Sequence, residues 1–137
     1  MAIPRELKLV KENDELLLAS EPVVELNHIA DKSVIKSNIT RLDEKLSGQY
    51  QFNLKTTDLK DFRLVFSNDK GEELKVGFEA KTNRYFIDRS KSGIVNFNKD
   101  FAAIAYAPRF SKAANSNVKL VLDDESLELF ADNVQRL

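Results

Sequence analysis

The sequence of 137 residues contains no cysteine and no tryptophan, and its only histidine is His28. The lack of cysteine excludes a disulfide framework, a thiolate zinc site and a cysteine nucleophile. Metal sites usually combine several His, Cys or acidic ligands at a defined spacing, and no such set accompanies His28. We therefore expect no metal and no cofactor, and we interpret His28 as a surface or loop-packing residue.

The sequence also lacks a large excess of charge of either sign and long hydrophobic runs. The net charge is −1, with lysines and acids alternating along the chain, so no electrostatic footprint for nucleic acid or an anionic membrane is present. No apolar run approaches the roughly 20 residues of a membrane helix. The segment Met1–Glu6 lacks the hydrophobic stretch of a signal peptide. We expect neither a nucleic-acid partner nor a membrane, and the signal of a secreted or periplasmic parent would lie outside this sequence.

Composition and apolar periodicity predict a single all-β domain over residues 1–137. The chain is 42 % hydrophobic and 31 % charged, which is ordinary for a globular protein. Short stretches of period-two alternation are separated by polar turns, as in an antiparallel two-sheet β-sandwich with at most one or two helical turns. The predicted strands are Arg5–Val10, Glu15–Ala19, Val34–Thr40, Tyr50–Thr56, a hairpin over Phe62–Phe78, Arg84–Asp88, and a second hairpin over Val118–Ala131. Glu15–Ala19 is predicted to be the more buried of the first two strands, and Pro22–Leu26 to be extended rather than helical.

The acidic residues do not suggest a catalytic pair. Glycoside hydrolysis needs two carboxyl groups at a suitable separation. The densest clusters, Asp43-Glu44 and Asp123-Asp124-Glu125, fall in predicted turns, where hydrated acids commonly bond the local backbone. Asp88 and Glu128 lie within predicted strands and are interpreted as solvated or ion-paired. No nucleophile elbow and no phosphate-binding glycine loop is present.

Some aromatic residues are less easily assigned to a core. Five rings fall on the apolar face of an alternating strand, where a core would place them: Tyr50, Phe52, Phe62, Phe66 and Phe78. Five others are less determined: Tyr85, Phe86, Tyr106, Phe110 and Phe130. Phe86 and Phe130 each lie on the opposite face of their strand. They fit either an exposed patch that packs on another surface or an ordinary second-face core.

Three segments in order resemble the C-terminal β-sandwich module of glycoside hydrolase family 32, the levanases, inulinases and invertases. The first is Ile3–Leu7, which is followed by Glu21–Leu26. The second is Ile87–Gly93, read as Ile-Asp-Arg-Ser-Lys-Ser-Gly, with Ala107-Pro108 after it. The third is the hairpin Val118–Asp132, where Asp124-Glu125 replace the Arg-Ser that is usual in the family.

This resemblance implies a module that lacks the chemistry of its parent. In the family, catalysis resides on an N-terminal five-bladed propeller, whose Trp-x-Asn-Asp-Pro-Asn-Gly, Arg-Asp-Pro and Glu-Cys motifs are absent here. No catalytic residue is carried over, and the chain is expected to be inactive alone. The resemblance implies a module that packs against and stabilises the propeller of a β-fructosidase. The candidate packing or interface residues are Phe86, Asp88, Arg89, Ser90 and Phe130.

Two further interpretations stay open at this point. The module would act alone as a fructan-binding domain if an exposed face recognised the sugar. Family members usually continue with one more strand after the last hairpin, whereas this sequence stops at Asn133–Leu137. An unpaired edge there would favour self-association. A free-standing enzyme ranks last because the acids lie in turns and on outer faces.

Overall fold

The computed structural model describes residues 3–29, 32–46, 48–124 and 126–132. These residues form nine strands and one short 3-10 helix at Val24–His28. The strands are β1 (Arg5–Glu12), β2 (Glu15–Pro22), β3 (Tyr50–Thr56), β4 (Phe62–Ser67), β5 (Glu73–Glu79), β6 (Arg84–Lys91), β7 (Ala105–Pro108), β8 (Ser116–Leu122) and β9 (Leu127–Ala131). Within the described ranges, no helix is long and apolar enough to cross a membrane.

The strands form three antiparallel sheets, ordered β1-β2, β3-β8-β9 and β4-β5-β6-β7. The predicted all-β antiparallel class is therefore confirmed. The chain divides into two compact units, one within residues 1–55 and 117–135 and the other mainly within residues 56–116. The assignment of residues 1–137 to a single domain stays a prediction.

The first unit contains the β1-β2 hairpin and the three-stranded sheet. Alternation along β8 and β9 produces its core, in which Val118, Leu120 and Leu129 are at most 4 % exposed. The hairpin turns at Asn13 and Asp14, which both have positive φ. Positive φ at both central residues is typical of the two-residue turns whose twist matches antiparallel strands.

The second unit is the four-stranded sheet with its loops. One face buries Val76, Phe78 and Tyr85, each at most 3 % exposed, and the rings of Phe78 and Tyr85 are 5.1 Å apart. The buried Arg109 fixes the following loop by donating hydrogen bonds from Nη1 to the carbonyl of Ala113 (2.8 Å) and from Nη2 to that of Asn115 (2.9 Å). The guanidinium thereby satisfies carbonyls that no strand pairs with.

Two local predictions were wrong. Val34–Thr40 forms no strand, and its Ile35 is 90 % exposed, because no neighbouring strand in the described ranges pairs with this segment. Pro22–Leu26 is not extended throughout, since a 3-10 helix begins at Val24. Glu15–Ala19 is the more buried of the first two strands, since Ala19 is 1 % exposed and Arg5–Val10 contains no buried residue, although Leu16 and Leu18 project onto an exposed face.

Candidate interface residues

Phe86 lies on the more polar face of the four-stranded sheet, as its position in the sequence predicts. Its cross-strand neighbours are Gly77 on β5 and Tyr106 on β7. The Phe86 ring covers Gly77 so closely that a Cβ at residue 77 would lie 2.7 Å from the ring. Glycine is required here because any side chain would displace the ring. Phe86 is consequently half-buried within its own sheet.

Tyr106 continues this face toward the sheet edge. Its ring is 43 % exposed, and the guanidinium of Arg84 lies 3.5 Å from the ring centroid. Arg84 also donates from Nε to Glu79 at 2.8 Å. Because this hydrogen bond holds Arg84 in place, one side of the Tyr106 ring is covered by a fixed cation.

Asp88 and Ser90 form a local turn-like contact near the end of β6. The hydrogen bond from the Ser90 side chain, and next the one from its backbone N–H, hold the pKa of Asp88 below its ordinary value of 3.8. The positive charges of Lys75 and Lys91 act in the same direction, whereas partial burial opposes them. The carboxylate of Asp88 is therefore ionised at neutral pH and hydrogen-bonded to Ser90 of the same strand, an arrangement typical of a structural acid.

Arg89 projects to the opposite face of β6 from Asp88, as period-two geometry requires. Its Nε donates to the carbonyl of Phe101 at 2.7 Å, and its guanidinium lies 4.1 Å from the centroid of the Phe101 ring. Phe101 in turn packs against Phe97 at 4.7 Å between ring centroids. Arg89 thus fixes the irregular segment that follows Gly93.

Phe130 belongs to the first unit and is 5 % exposed. The guanidinium of Arg5 lies 5.0 Å from its ring centroid, and Nη2 of Arg5 donates to Oε2 of Glu128 at 2.5 Å. The backbone N–H of Ile3 donates to the other oxygen of Glu128 at 2.9 Å. The base of the β1-β2 hairpin therefore covers Phe130, which favours the core interpretation that the sequence left open.

The five predicted residues do not form one cluster. Phe86 and Asp88 share a face of β6, Arg89 lies on the other face, and Ser90 is exposed near the strand end. Phe130 belongs to the other compact unit. Their assignment to an interface stays a prediction, and each has a contact that explains its position within its own unit.

No metal-binding arrangement is present among the described residues. No group of three or more His, Asp or Glu side chains there lies close enough to hold a metal ion. Asp43 pairs with Arg41 on the surface, and Asp123 accepts a hydrogen bond from the Ser126 N–H at 2.7 Å. Asp123 lies in the turn that its position in the sequence predicts, whereas Asp43 lies in an irregular segment with no assigned turn; Glu125 lies outside the described residues.

Sequence reasoning missed a set of leucines on the β1-β2 hairpin. Leu7, Leu9, Leu16 and Leu18 are 64 %, 73 %, 72 % and 55 % exposed. The register pairs Leu9 with Leu18 and places Leu7 and Leu16 on the same face. We call these four residues the leucine face. The alternation of β1 shows that Leu7 and Leu9 share a face. Only the strand register reveals that Leu16 and Leu18 of β2 extend this face, and all four leucines are exposed in the described part of the chain.

Comparison with known proteins identifies relatives across nearly the whole chain. The sequence model of the family described as glycosyl hydrolases family 32 C terminal matches residues 19–135. A levanase of Bacillus subtilis (strain 168) is 30 % identical over an alignment of 146 residues, which covers 96 % of this chain and 21 % of that protein. A levanase of Bacillus sp. (strain L7) is 23 % identical, with 97 % of this chain and 16 % of that protein covered.

A solved structure supports the fold. The crystal structure of exo-inulinase from Aspergillus awamori matches with a TM-score of 0.66 and 22 % identity, and the match covers 97 % of this chain and 28 % of the exo-inulinase chain. This match confirms the β-sandwich architecture predicted from the sequence. The chain spans only about a fifth of the length of the two levanases.

The strand architecture and the structural match define the class as an antiparallel β-sandwich. The particular family follows from the match over residues 19–135. This chain belongs to the C-terminal module family of glycosyl hydrolase family 32, and the resemblance predicted from its three segments is confirmed.

Proposed function

We propose that this chain is the non-catalytic C-terminal module of a fructan-hydrolysing enzyme, and that it stabilises the catalytic region by packing against it. The observation that carries the proposal is the family match over residues 19–135 combined with the small share of each relative that the chain spans. Four-fifths of the length of the Bacillus subtilis levanase lies outside the matching segment.

The ion pairs of the chain support a structural rather than a chemical role. Retaining glycoside hydrolysis requires two carboxyl groups roughly 5 Å apart, one as nucleophile and one as acid. Glu128 is paired with Arg5, Glu79 with Arg84, and Asp88 with the Ser90 N–H. Each of these acids therefore has a structural contact within the chain, which is consistent with a structural role. We therefore expect the catalytic carboxylates in the preceding region of the parent.

A chimera with a cleavable junction tests this proposal. The segment of the Bacillus subtilis levanase that matches this chain is replaced by residues 1–137, with a protease site inserted before Met1. After cleavage, size-exclusion chromatography reports whether the two parts remain together, and release of fructose from levan reports activity. We expect co-elution with retained activity and no fructose release by the 137-residue chain alone. Separation after cleavage, or turnover by the chain alone, would contradict the proposal.

Fructan binding is a second candidate, and the exposed Tyr106 ring favours it. A sugar stacks on an aromatic face, and the side of Tyr106 away from Arg84 is accessible because the residue is 43 % exposed. Titration of the chain with levan and inulin oligosaccharides, monitored by calorimetry, tests this candidate with Tyr106→Ala as the control. Heat of binding that disappears in the variant would support it, and no heat would reject it.

Self-association is the remaining proposal from the sequence. Its predicted basis, the segment Asn133–Leu137, lies outside the described residues. Sedimentation velocity over a hundredfold concentration range tests it. A sedimentation coefficient that rises with concentration would support it, and a constant monomer value would reject it.

A further inference from the structure

Among the described residues, the leucine face brings four exposed leucines together on one face of a hairpin. The exposed fractions of Leu7, Leu9, Leu16 and Leu18 together equal those of between two and three fully exposed leucines. Single exposed apolar side chains are ordinary on protein surfaces, whereas a contiguous apolar patch usually marks a contact with another molecule or domain. Leu9 and Leu18 form a direct cross-strand pair at its centre.

The backbone of the same hairpin is also incompletely paired. Within the described ranges, β1 and β2 form a two-stranded sheet in which each strand pairs only with the other. The register runs through eight consecutive pairs, from Arg5 with Pro22 to Glu12 with Glu15, without a bulge. A long regular edge with unpaired N–H and C=O groups readily accepts another strand. An isolated two-stranded hairpin is marginal in water unless another strand or surface joins it.

The base of the hairpin is anchored within the first unit. Arg5 and Ile3 bond Glu128, and Ala19 is 1 % exposed. Beyond Leu7 the hairpin presents its leucines to solvent. The register of the hairpin contains no bulge of the kind that often protects a solvent-facing edge strand.

The family match indicates what covers this face. It begins at Ala19, within β2, so β1 and the first four residues of β2 precede the C-terminal module proper. The two Bacillus levanases nevertheless match 96 % and 97 % of this chain, and the remainder of each is several times longer than the chain. The hairpin thus lies at the boundary between the module and the part of the parent that precedes a C-terminal module.

We propose that the leucine face and the open edges of β1 and β2 are the docking surface for the preceding catalytic region. The hairpin adds two strands to a sheet of that region or covers one of its faces. This inference rests on the proposed function, because it names the surface through which the module packs. Apolar side chains and an unpaired strand edge together fit a partner that offers a sheet edge with an apolar face. A partner joined through the same chain meets this surface at high effective concentration.

The cleavable chimera described above tests the proposal with Leu9→Lys/Leu18→Lys. Val65→Lys is the matched control, because Val65 is an apolar strand residue of the other unit that is 46 % exposed. We expect the unmodified and Val65→Lys chimeras to co-elute after cleavage and the double variant to separate, with an apparent Kd at least ten times higher. Co-elution of the double variant would overturn the proposed surface while leaving the packing function intact. Separation of the unmodified chimera would instead contradict the proposed function itself.

Measurements on the 137-residue chain alone guard against misfolding of the variant. We expect Leu9→Lys/Leu18→Lys to keep the circular dichroism spectrum and thermal midpoint of the parent chain, since neither leucine is buried. A large loss of stability would show that the leucines belong to the chain's own core and would overturn the proposal.

A second copy of the chain is the competing occupant of the leucine face. A tight homodimer that the double variant abolishes would likewise overturn the assignment to the catalytic region.

Discussion

The ion pair between Arg5 and Glu128 ties the β1-β2 hairpin to β9, and a double-mutant cycle measures its strength. Nη2 of Arg5 and Oε2 of Glu128 are 2.5 Å apart, and the side chains are 28 % and 12 % exposed. Arg5→Met keeps much of the aliphatic volume, and Glu128→Gln keeps the shape while removing the charge. The two single variants and the double variant complete the cycle, which isolates the pairwise free energy.

The partial burial of both groups sets the expected magnitude. Fully exposed ion pairs contribute about 0–1 kcal/mol, whereas hydrogen bonds to charged groups contribute about 1.5–3 kcal/mol. We expect a coupling free energy of about 1–2 kcal/mol between these limits. Arg5→Met also loses the contact with the Phe130 ring, a cation–π interaction of about 0.5–1 kcal/mol. The thermal midpoint of Arg5→Met should therefore fall by several degrees. In a somewhat larger chain, each kcal/mol of lost stability lowers the thermal midpoint by roughly 2–4 °C.

Urea unfolding followed by circular dichroism supplies the four free energies of unfolding. The matched control cycle is Arg41→Met/Asp43→Asn, because that pair is 85 % exposed on both sides and should show no measurable coupling. The Arg5–Glu128 coupling should shrink only in part in 1 M salt, since partly buried pairs are incompletely screened. A coupling as small as that of the control pair would refute the reasoning that this contact anchors the hairpin.

Three further predictions concern single positions. Gly77→Ala should lower the free energy of unfolding in urea by about 1–3 kcal/mol through overpacking, because the new Cβ meets the Phe62 carbonyl oxygen and the ring across the strand; a stabilised variant would contradict this. Leu120→Ala should lower the free energy of unfolding by about 2–5 kcal/mol, since Leu120 is fully buried. Leu9→Ala should change the free energy of unfolding by less than about 0.5 kcal/mol. Equal effects of the two substitutions would contradict the burial of β8. Because folding lowers the pKa of Asp88 below 3.8, its carboxylate adds stability above the unfolded pKa and loses it as the pH falls through the folded pKa. Asp88→Asn should therefore be less stable than the parent at pH 7, and thermal unfolding should show the difference shrinking as the pH falls below 3.8 toward the lower folded pKa; a difference independent of pH would contradict this.

Local alternation was sufficient to predict the strands that have partners. Phe62–Ser67 and Glu73–Glu79 pair residue by residue around the polar turn that the sequence marks. The hairpin of β8 and β9 follows in the same way. In both cases the apolar residues of the two strands meet on one face, so period-two patterning and turn chemistry point to the same structure.

The same pattern was insufficient where no second surface is available. Val34–Thr40 has strand-like composition, yet no strand in the described part of the chain pairs with it. Glu15–Ala19 forms its strand, but Leu16 and Leu18 remain exposed. Alternation determines which residues share a face, and it carries no information about whether another element covers that face.

The candidate interface residues illustrate a further limit of sequence reasoning. The placement of Phe86 on the outer face was predictable from the sequence. The position of its ring over Gly77 was not, because it depends on the register between β5 and β6. The contacts of Phe130 with Arg5 depend on residues 125 positions apart in sequence. Long-range pairing of this kind is set by the tertiary fold rather than by local propensity.

Hydrogen–deuterium exchange of the β1 and β2 amides tests the docking of the hairpin most directly. The exchange is compared between the 137-residue chain and the uncleaved levanase chimera, and the amides of β4 and β5 serve as an internal reference. Docking onto the catalytic region predicts that the outward-facing amides of β1 or β2 exchange at least ten times more slowly in the chimera, while the reference amides do not change. Equal exchange of the hairpin in the two proteins would contradict the claim that this surface joins the module to its parent.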